Sequence, residues 1–144
     1  MKSFTKRSLA ALMIIATLSC LLCVGASARS SDYLSAYSAG VVARSGGRII
    51  VSVDVDGVGY MTQIGASNVI IYQSSDQTNW SSVASYSSAN YPSMLTSGTS
   101  CNMDVVTYYG TAGYYYKAVV TCYAGNASGH DSRLYSTSSA KAIS

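Results

Sequence analysis

The sequence predicts an all-β domain built from about seven short antiparallel strands, arranged as a sandwich or a barrel. The composition favours strands, because thirteen Tyr and many Val and Thr suit a pleated surface, whereas the abundant Ser and Gly are poor helix formers. Runs of alternating apolar and polar residues recur along the chain, and polar turn sequences separate them. Beyond residue 28, no segment has the pattern of a helix of normal length. Together these observations place the chain in the all-β class.

Residues 1–28 have the three parts of a cleavable signal peptide. A cationic start precedes the apolar run of residues 9–24, and Ala26-Ser27-Ala28 supplies the small residues of a cleavage site. The apolar run has about 16 residues, short of the roughly 20 that cross a bilayer, so a membrane anchor is disfavoured. The pattern predicts a secreted, extracellular domain of about 116 residues, which is enough for one hydrophobic core.

Removal of the signal peptide also removes the apparent basicity of the chain. The full sequence carries a net charge of +3, but three of its nine Lys and Arg lie in residues 1–28, which leaves six cations against six Asp. A neutral domain lacks the long-range attraction that supports binding to nucleic acid or to an anionic membrane surface. We therefore expect neither partner, and the residues give no indication of a cofactor.

The remaining chain divides into an N-terminal segment and the predicted β-sandwich domain, residues 47–144. Residues 29–46 are rich in Ser, Ala and Gly and have weak patterning. They predict a flexible N-terminus that contains an edge strand at residues 34–43.

Residues 48–56 predict a half-buried antiparallel strand, because apolar and polar side chains alternate. The apolar side chains that share one face are those of Ile49, Val51, Val53 and Val55. The dipeptide Asp56-Gly57 predicts a turn that ends this strand, since glycine supplies a positive φ. Residues 57–66 contain further glycines and fit either a helical turn or a short strand.

Two more strands are predicted in the middle of the chain. Residues 68–73 are apolar on both faces and predict a central strand that is covered on two sides. After a polar turn at residues 74–79, residues 80–87 form the next strand, with Trp80 expected in the core. Residues 88–98 contain the only Pro and predict a loop.

The C-terminal third contains two cysteines that a tight reversal would bring together. Strand-like residues 101–109 and 114–123 flank a glycine-containing turn, which predicts a hairpin. A symmetric hairpin places Cys101 opposite Cys122, both on the apolar parity. In an extracellular domain this predicts a Cys101–Cys122 disulfide that contributes about 3 kcal/mol in the chain-entropy model. Residues 133–143 predict the last strand.

Two stretches resemble strands of fibronectin type III domains. Residues 69–76 followed by Trp80 resemble the third and fourth strands, and residues 110–120 resemble the sixth, with Tyr116 at the place of its corner tyrosine. The chain is also similar to small secreted β-sandwich proteins of Gram-positive bacteria whose function is unknown. The resemblance covers about 95 residues and implies an immunoglobulin or fibronectin type III-like sandwich with no catalytic residues. In that fold the fifth and sixth strands lie in opposite sheets, so the two cysteines would meet across the core.

The tyrosines beside the predicted turn are the candidate binding residues. Tyr108, Tyr109, Tyr114 and Tyr115 occupy both strand parities, so part of the set must face solvent. Exposed Tyr rings stack on sugars and anchor protein partners at a low cost in entropy, although packing across strands is their ordinary role. The sequence therefore favours a secreted, non-catalytic binding or adhesion module that recognises an extracellular glycan or protein.

Three other hypotheses draw on polar residues and on secretion. His130-Asp131-Ser132 contains the residue types of a hydrolase triad, but neighbours on an extended chain point to opposite faces. A small hydrolase that uses Asp residues and His130 is therefore an alternative that needs convergence in one cleft. Asp54 and Asp56 are weak Ca²⁺ candidates without the remaining ligands of a known pattern, and we expect no metal. A secreted effector or toxin-like protein is a third alternative, which neutral, non-amphipathic strands do not favour.

Overall fold

A computed structural model describes residues 31–144, and the predicted signal peptide lies outside these residues. The described chain is all-β, as predicted, and its seven strands form one antiparallel, curled sheet. The elements in chain order are β1 (Leu34–Arg44), β2 (Arg48–Ser74), β3 (Ser81–Ser87), a single-turn 3-10 helix (Pro92–Met94), β4 (Leu95–Tyr109), β5 (Tyr115–Asn126), β6 (Gly129–Ser136) and β7 (Ala140–Lys141).

Strand β2 is 27 residues long and organises the whole sheet. Its first half pairs with β1 and β4, and its second half pairs mainly with β5 and β3. At Ile64 and Gly65 it pairs with β4 and β5 at once, so these two strands lie on opposite edges of β2. Strands β1 and β5 therefore share one edge, and β4 and β3 share the other. Strand β6 extends the sheet beyond β5, and β7 adds a short pair to β5.

The predicted turn at Asp56-Gly57 is wrong, because the chain stays extended there and bends without reversing. The register with β4 jumps between Asp56 and Met61, which marks an irregularity in the strand. A Cβ at Gly57 would lie 2.7 Å from Met61 Cγ, so glycine leaves room for the buried Met61 side chain. Gly59 adopts a φ of +85°, a conformation that favours glycine. The segment left open by the sequence is therefore a bent part of β2.

Apolar side chains from both halves of β2 form one core. The alternation predicted for residues 48–56 is confirmed, because the four apolar side chains are buried while Asp54 and Asp56 are exposed. Residues 68–73 lie between β3 and β5, as predicted for a central strand, but Ile70 and Tyr72 are only half-buried. The largest fully buried side chains are those of Tyr116, Ile49, Met61, Ile64, Ile71, Met94, Val51, Val53, Val55, Val69, Val120 and Cys122.

The predicted hairpin of β4 and β5 is wrong, because no register joins these two strands within residues 31–144. Cys101 pairs with Val55 in the first half of β2, and Cys122 pairs with Ala66 in the second half. The connection between β4 and β5 therefore crosses from one edge of β2 to the other. β2 therefore provides a hydrogen-bonding partner for one edge of each strand, and the other edge of β5 pairs with β6 and β7.

Trp80 lies outside the core, contrary to the prediction. Its indole is half-buried and donates Nε1–H to the Gln77 carbonyl oxygen at 3.0 Å. Lys117 Nζ lies 4.3 Å from the ring centroid in a cation–π contact. Asp76 organises the preceding turn by accepting main-chain N–H groups, that of Asn79 foremost, and these bonds hold the pKa of Asp76 well below its usual range. The indole therefore packs on the outside of the sheet.

Three strand boundaries differ from the prediction. The predicted loop at residues 88–98 contains the 3-10 helix and the beginning of β4. Strand β5 continues to Asn126, and a short turn leads directly into β6. The predicted final strand at residues 133–143 is divided between the end of β6 and the two residues of β7. At the N-terminal side, β1 forms an edge of the same sheet.

Candidate functional site

The structure separates the four candidate tyrosines. Tyr109 is 70% exposed and Tyr114 is 37% exposed, so both side chains face solvent. Tyr108 is half-buried and packs against Tyr116, with 5.8 Å between the ring centroids. The centroid of the Tyr115 ring lies 5.3 Å from the Nζ of a lysine on β7. The four side chains therefore do not form a common platform of exposed rings.

Tyr116 holds the β4–β5 connection against the sheet. Its ring is fully buried, and its hydroxyl donates to Gln73 Oε1 and accepts the Thr111 N–H, each at 2.8 Å. Gly110 is required beside it, because a Cβ there would lie 2.5 Å from Tyr116 Cζ. A buried Tyr whose hydroxyl binds the main chain a few residues upstream has the geometry of a tyrosine corner. Tyr116 therefore has a structural role in ordering this connection.

Asp131, the central residue of the candidate hydrolase sequence, accepts hydrogen bonds from the first residues of the described chain. Its Oδ2 accepts hydrogen bonds from Ser31 Oγ at 2.6 Å and from the N–H groups of Asp32 at 2.8 Å and Tyr33 at 3.0 Å. The Ser31 hydroxyl and these main-chain bonds hold the pKa of Asp131 below its usual range, so the carboxylate is ionised at neutral pH. This carboxylate fastens the beginning of the described chain to β6.

His130 lies on the exposed surface of β6 and stacks on Tyr123 of β5. The ring centroids are 5.3 Å apart, and the ring planes differ by 23°. Gly125 leaves room for both rings, because a Cβ there would lie 2.7 Å from His130 Cβ and 3.0 Å from the Tyr123 hydroxyl oxygen. Thr62 Oγ1 donates to the Gly125 carbonyl oxygen at 3.3 Å. These contacts give the end of the β5–β6 hairpin a supported aromatic surface.

Asp54 and Asp56 lie on the outward face of β2 and are exposed. In the sheet register, Asp54 is flanked by Ser38 on β1 and by Asn102 on β4. Residues 31–144 contain no group of three or more His, Cys, Asp or Glu side chains placed to hold a metal ion. The two carboxylates are therefore a surface pair with neutral cross-strand neighbours.

An open groove of about 600 Å³ lies where the chain between β3 and β4 crosses the edge of β2. Seven of its ten described lining residues carry a hydroxyl or amide group, Ala89, Pro92 and Leu95 supply apolar surface, and none of the ten is charged. Its polar residues are Thr62, Gln63 and Ser67 from β2, Ser88 from the connection, Thr96 and Ser97 from β4, and Tyr123 from β5. The groove therefore offers many hydrogen-bond donors and acceptors, with an aromatic side chain on one side.

The backbone explains the position of the groove. Strand β3 ends its pairing with β2 at Asn68, opposite Ser87, and β4 begins its pairing at Gly65, opposite Leu95. The connection spans this gap, and its Met94 side chain is fully buried beneath it. Gly65 has a φ of +142°, and a Cβ there would collide with the Met94 carbonyl oxygen. Glycine at position 65 therefore lets the connection lie close to β2.

The groove has no signature in the amino-acid sequence. Its Ser, Thr and Gln side chains are scattered over several strands and follow no motif. The available signals are Gly65 inside a strand pattern and Pro92 beside the buried Met94, because both mark irregular backbone. They indicate an unusual connection but not the chemistry of its surface.

Cys101 and Cys122 are buried thiols that belong to the same core cluster, and both are free in the structure. Burial raises the pKa of the Cys101 thiol. Burial also raises the pKa of Cys122 to about 11, and the nearby Cys101 adds to this effect. The two thiols therefore lie in one core cluster, on strands that pair with different halves of β2.

Comparison of the chain with protein-family models, with curated proteins and with solved structures finds no match. No helix within residues 31–144 is long and apolar enough to cross a membrane. The class of protein that these observations define is an all-β domain with a neutral polar groove. Its function is inferred from that groove and from the exposed surfaces of the sheet.

Proposed function

We propose that the chain is a secreted, non-catalytic binding module whose groove holds a neutral, hydroxyl-rich segment of an extracellular glycan. The observation that carries this proposal is the uncharged lining of the groove, in which hydroxyl and amide groups accompany a tyrosine ring. The volume of about 600 Å³ lies within the range of roughly 300–1,000 Å³ that is typical of ligand sites. An open groove suits a segment of a longer chain better than an enclosed small molecule.

The lining groups match the chemistry of a sugar. Gln63 offers both an amide donor and an acceptor, and the hydroxyl groups of Thr62 and Thr96 act in either direction. The Tyr123 ring, supported by His130, supplies apolar surface for the C–H groups of a pyranose. A phosphorylated ligand would find no cation, because none of the described lining residues is Lys or Arg. The groove therefore favours neutral glycans over anionic ligands.

The test is a glycan array probed with protein secreted under its own signal sequence, followed by calorimetric titration of each positive glycan. Gln63→Ala combined with Thr96→Ala removes two exposed groove side chains and should weaken binding about tenfold or more, as expected for one or two lost hydrogen bonds. Tyr109→Ala is the matched control, because Tyr109 lies elsewhere on β4, opposite Arg48, and should bind like the wild type. An array without a positive glycan, or equal binding by the groove variant, contradicts the proposal.

The exposed pair Tyr109 and Tyr114 supports a second candidate, recognition of a protein partner. These rings are 70% and 37% exposed, and large exposed Tyr surfaces serve as anchors at protein interfaces. The groove variant and Tyr109→Ala separate the two candidates. Loss of binding to a surface protein in Tyr109→Ala alone would favour the tyrosine pair.

The type of sandwich is part of the proposal. With β2 counted as two strands on either side of its bend, β1, the first half of β2 and β4 form one group. The second half of β2 with β3, β5 and β6 forms the other. This pairing resembles that of immunoglobulin and fibronectin type III-like sandwiches, and the corner geometry of Tyr116 supports the same assignment. An experimental structure in which the two groups do not pack face to face would refute it.

An oxidised Cys101–Cys122 pair is also part of the proposal. Both side chains lie in one core cluster, and the predicted signal peptide would direct the chain to a compartment in which disulfides persist. A disulfide oxidoreductase would accept two electrons, while the thiols lose two protons and an S–S bond forms between them. The intact mass of the secreted protein should then be lower by two hydrogens than after reduction. Two alkylatable thiols in the denatured, unreduced protein would contradict the bond.

A further inference from the structure

The outward face of β1, β2 and β4 has its charges sorted by sign. At one end, Arg44 of β1 lies directly opposite Arg48 of β2, and Tyr109 of β4 lies on the other side of Arg48. At the other end, β2 carries Asp54 and Asp56, and both are exposed. Six residues of strand, about 20 Å, separate Arg48 from Asp54. This face is therefore basic at one end and acidic at the other.

The middle of the same face has a projection next to a depression. Val42 of β1 is 41% exposed and lies opposite the half-buried Ile50 of β2. Two residues away, Gly40 lies opposite Ser52 and lines a shallow depression of about 260 Å³, which Asp54 also borders. The face therefore combines an apolar projection, a hollow and two opposite charges in one continuous surface.

We propose that this face binds a second copy of the chain in a symmetric, antiparallel dimer. The two-fold axis lies in the plane of the interface and crosses the strands at the level of Val51. Rotation about this axis places Arg48 of each copy over Asp54 of its partner. The same rotation places Val42 of each copy over Gly40 of its partner, so a projection meets a hollow twice.

Asp104, the remaining charged residue near the middle of this face, fits the same arrangement. Asp104 of β4 lies opposite Ser52, and Thr107 of β4 lies opposite Ile50. The rotation brings the Asp104 carboxylate over the Thr107 hydroxyl of the partner, where a charge-assisted hydrogen bond satisfies it. Between the levels of Arg48 and Asp54, no like charges then face each other across the interface.

A second copy fits this face better than a partner of one charge. Arg44 and Arg48 are directly opposed in the sheet, and like charges in such a pair repel. An acidic partner would offset the repulsion between the two Arg side chains but would itself be repelled by Asp54 and Asp56. A second antiparallel copy instead places opposite charges over both ends of the face. Three strands about 4.8 Å apart over residues 48–56 give a projected area of roughly 400 Å² per copy. Because this is a small interface, the dimer should be weak and sensitive to salt.

Sedimentation of the secreted protein at rising concentration tests the dimer. The wild type should associate in about 0.05 M salt and dissociate in about 0.5 M salt, where charges are screened. Arg44→Glu combined with Arg48→Glu makes the basic end of the face acidic, and Asp54→Lys combined with Asp56→Lys makes the acidic end of β2 basic, so each variant carries like charges at both ends. Each double variant alone should be monomeric, and an equimolar mixture should form a heterodimer at least as stable as the wild-type dimer.

Gly40→Lys is the second test, because it fills the hollow. A Cβ at Gly40 would lie 3.6 Å from Ser52 Oγ, an ordinary contact, so the fold should tolerate the change while the dimer is lost. A monomeric wild type in low salt, self-association by either double variant, or a mixture that stays monomeric would overturn the proposal. Glycan binding serves as a separate readout, because the proposed groove lies beside the second half of β2 and does not include this face.

Discussion

Replacement of Tyr116 by Phe removes one oxygen atom from the core and tests how the β4–β5 connection is held. The hydroxyl accepts the Thr111 N–H and donates to Gln73 Oε1, each at 2.8 Å. The ring stays buried, so the buried apolar area is nearly unchanged and the effect reports the two hydrogen bonds. Each contributes about 0.5–1.5 kcal/mol, which gives a loss of about 2 kcal/mol in the free energy of unfolding. Thr111 is exposed, so its freed N–H can bind water and the loss should not be larger.

For a domain of this size, a loss of about 2 kcal/mol lowers the melting temperature by roughly 8 °C. Urea unfolding followed by circular dichroism should show a lower midpoint with an unchanged slope. Tyr109→Phe is the matched control, because it removes the same atom from a ring that is 70% exposed and should change stability by less than about 0.5 kcal/mol. If both variants unfold at the same urea concentration, the hydrogen bonds of Tyr116 do not stabilise the connection, and its interpretation as a tyrosine corner is refuted.

Three further predictions concern a glycine and two ionisable groups. Gly110→Ala should destabilise the domain more than Tyr116→Phe, because the new Cβ atom at position 110 would lie 2.5 Å from Tyr116 Cζ. Gly40→Ala is the control and should melt like the wild type, so equal melting temperatures of the two alanine variants would contradict the prediction. The lowered pKa of Asp131 stabilises the fold above the ordinary value near 3.8, and this contribution is lost as pH falls through the lower folded-state pKa. Asp131→Ala should therefore lower the melting temperature at neutral pH, and the difference from the wild type should shrink as pH falls below 3.8; a difference that stays constant with pH would refute this role of the carboxylate. In reduced protein, the pKa of Cys122 is raised from 9.0 to about 11, so the free energy of unfolding should fall as pH rises between these values. In Cys122→Ala, urea unfolding measured over the same pH range should show a smaller fall.

The buried faces of the strands could be predicted from the sequence, but the strand partners could not. Alternation identifies the inward side chains of residues 48–56, and the same parity correctly places Cys101 and Cys122 on the inward side. A hairpin and a crossing connection bury the same side chains, so parity does not distinguish them. The difference depends on β2, whose halves provide partners that are distant in sequence and that no local spacing reveals.

The bend of β2 shows a similar limit of local turn signals. Asp56-Gly57 predicts a reversal because glycine allows a positive φ, and a positive φ does occur, but at Gly59. A turn becomes a hairpin only when the strands on its two sides pair with each other. Here the first half of β2 pairs with β1 and β4, and the second half pairs mainly with β3 and β5. Gly57 instead makes room for Met61, a packing role that composition does not reveal.

The position of the groove follows from this topology. Along one edge of β2, the pairing partner changes from β4 to β3. The change occurs between Gly65, the last residue of β2 that pairs with β4, and Asn68, the first that pairs with β3. The connection that joins β3 to β4 has to leave the edge and return to it, which leaves polar groups such as Ser67 beside an open space. A strand that ended at Gly57 would have no such exchange. Because the backbone creates the space, substitutions at Gln63 or Thr96 should change the hydrogen-bonding groups of the groove while the groove itself persists.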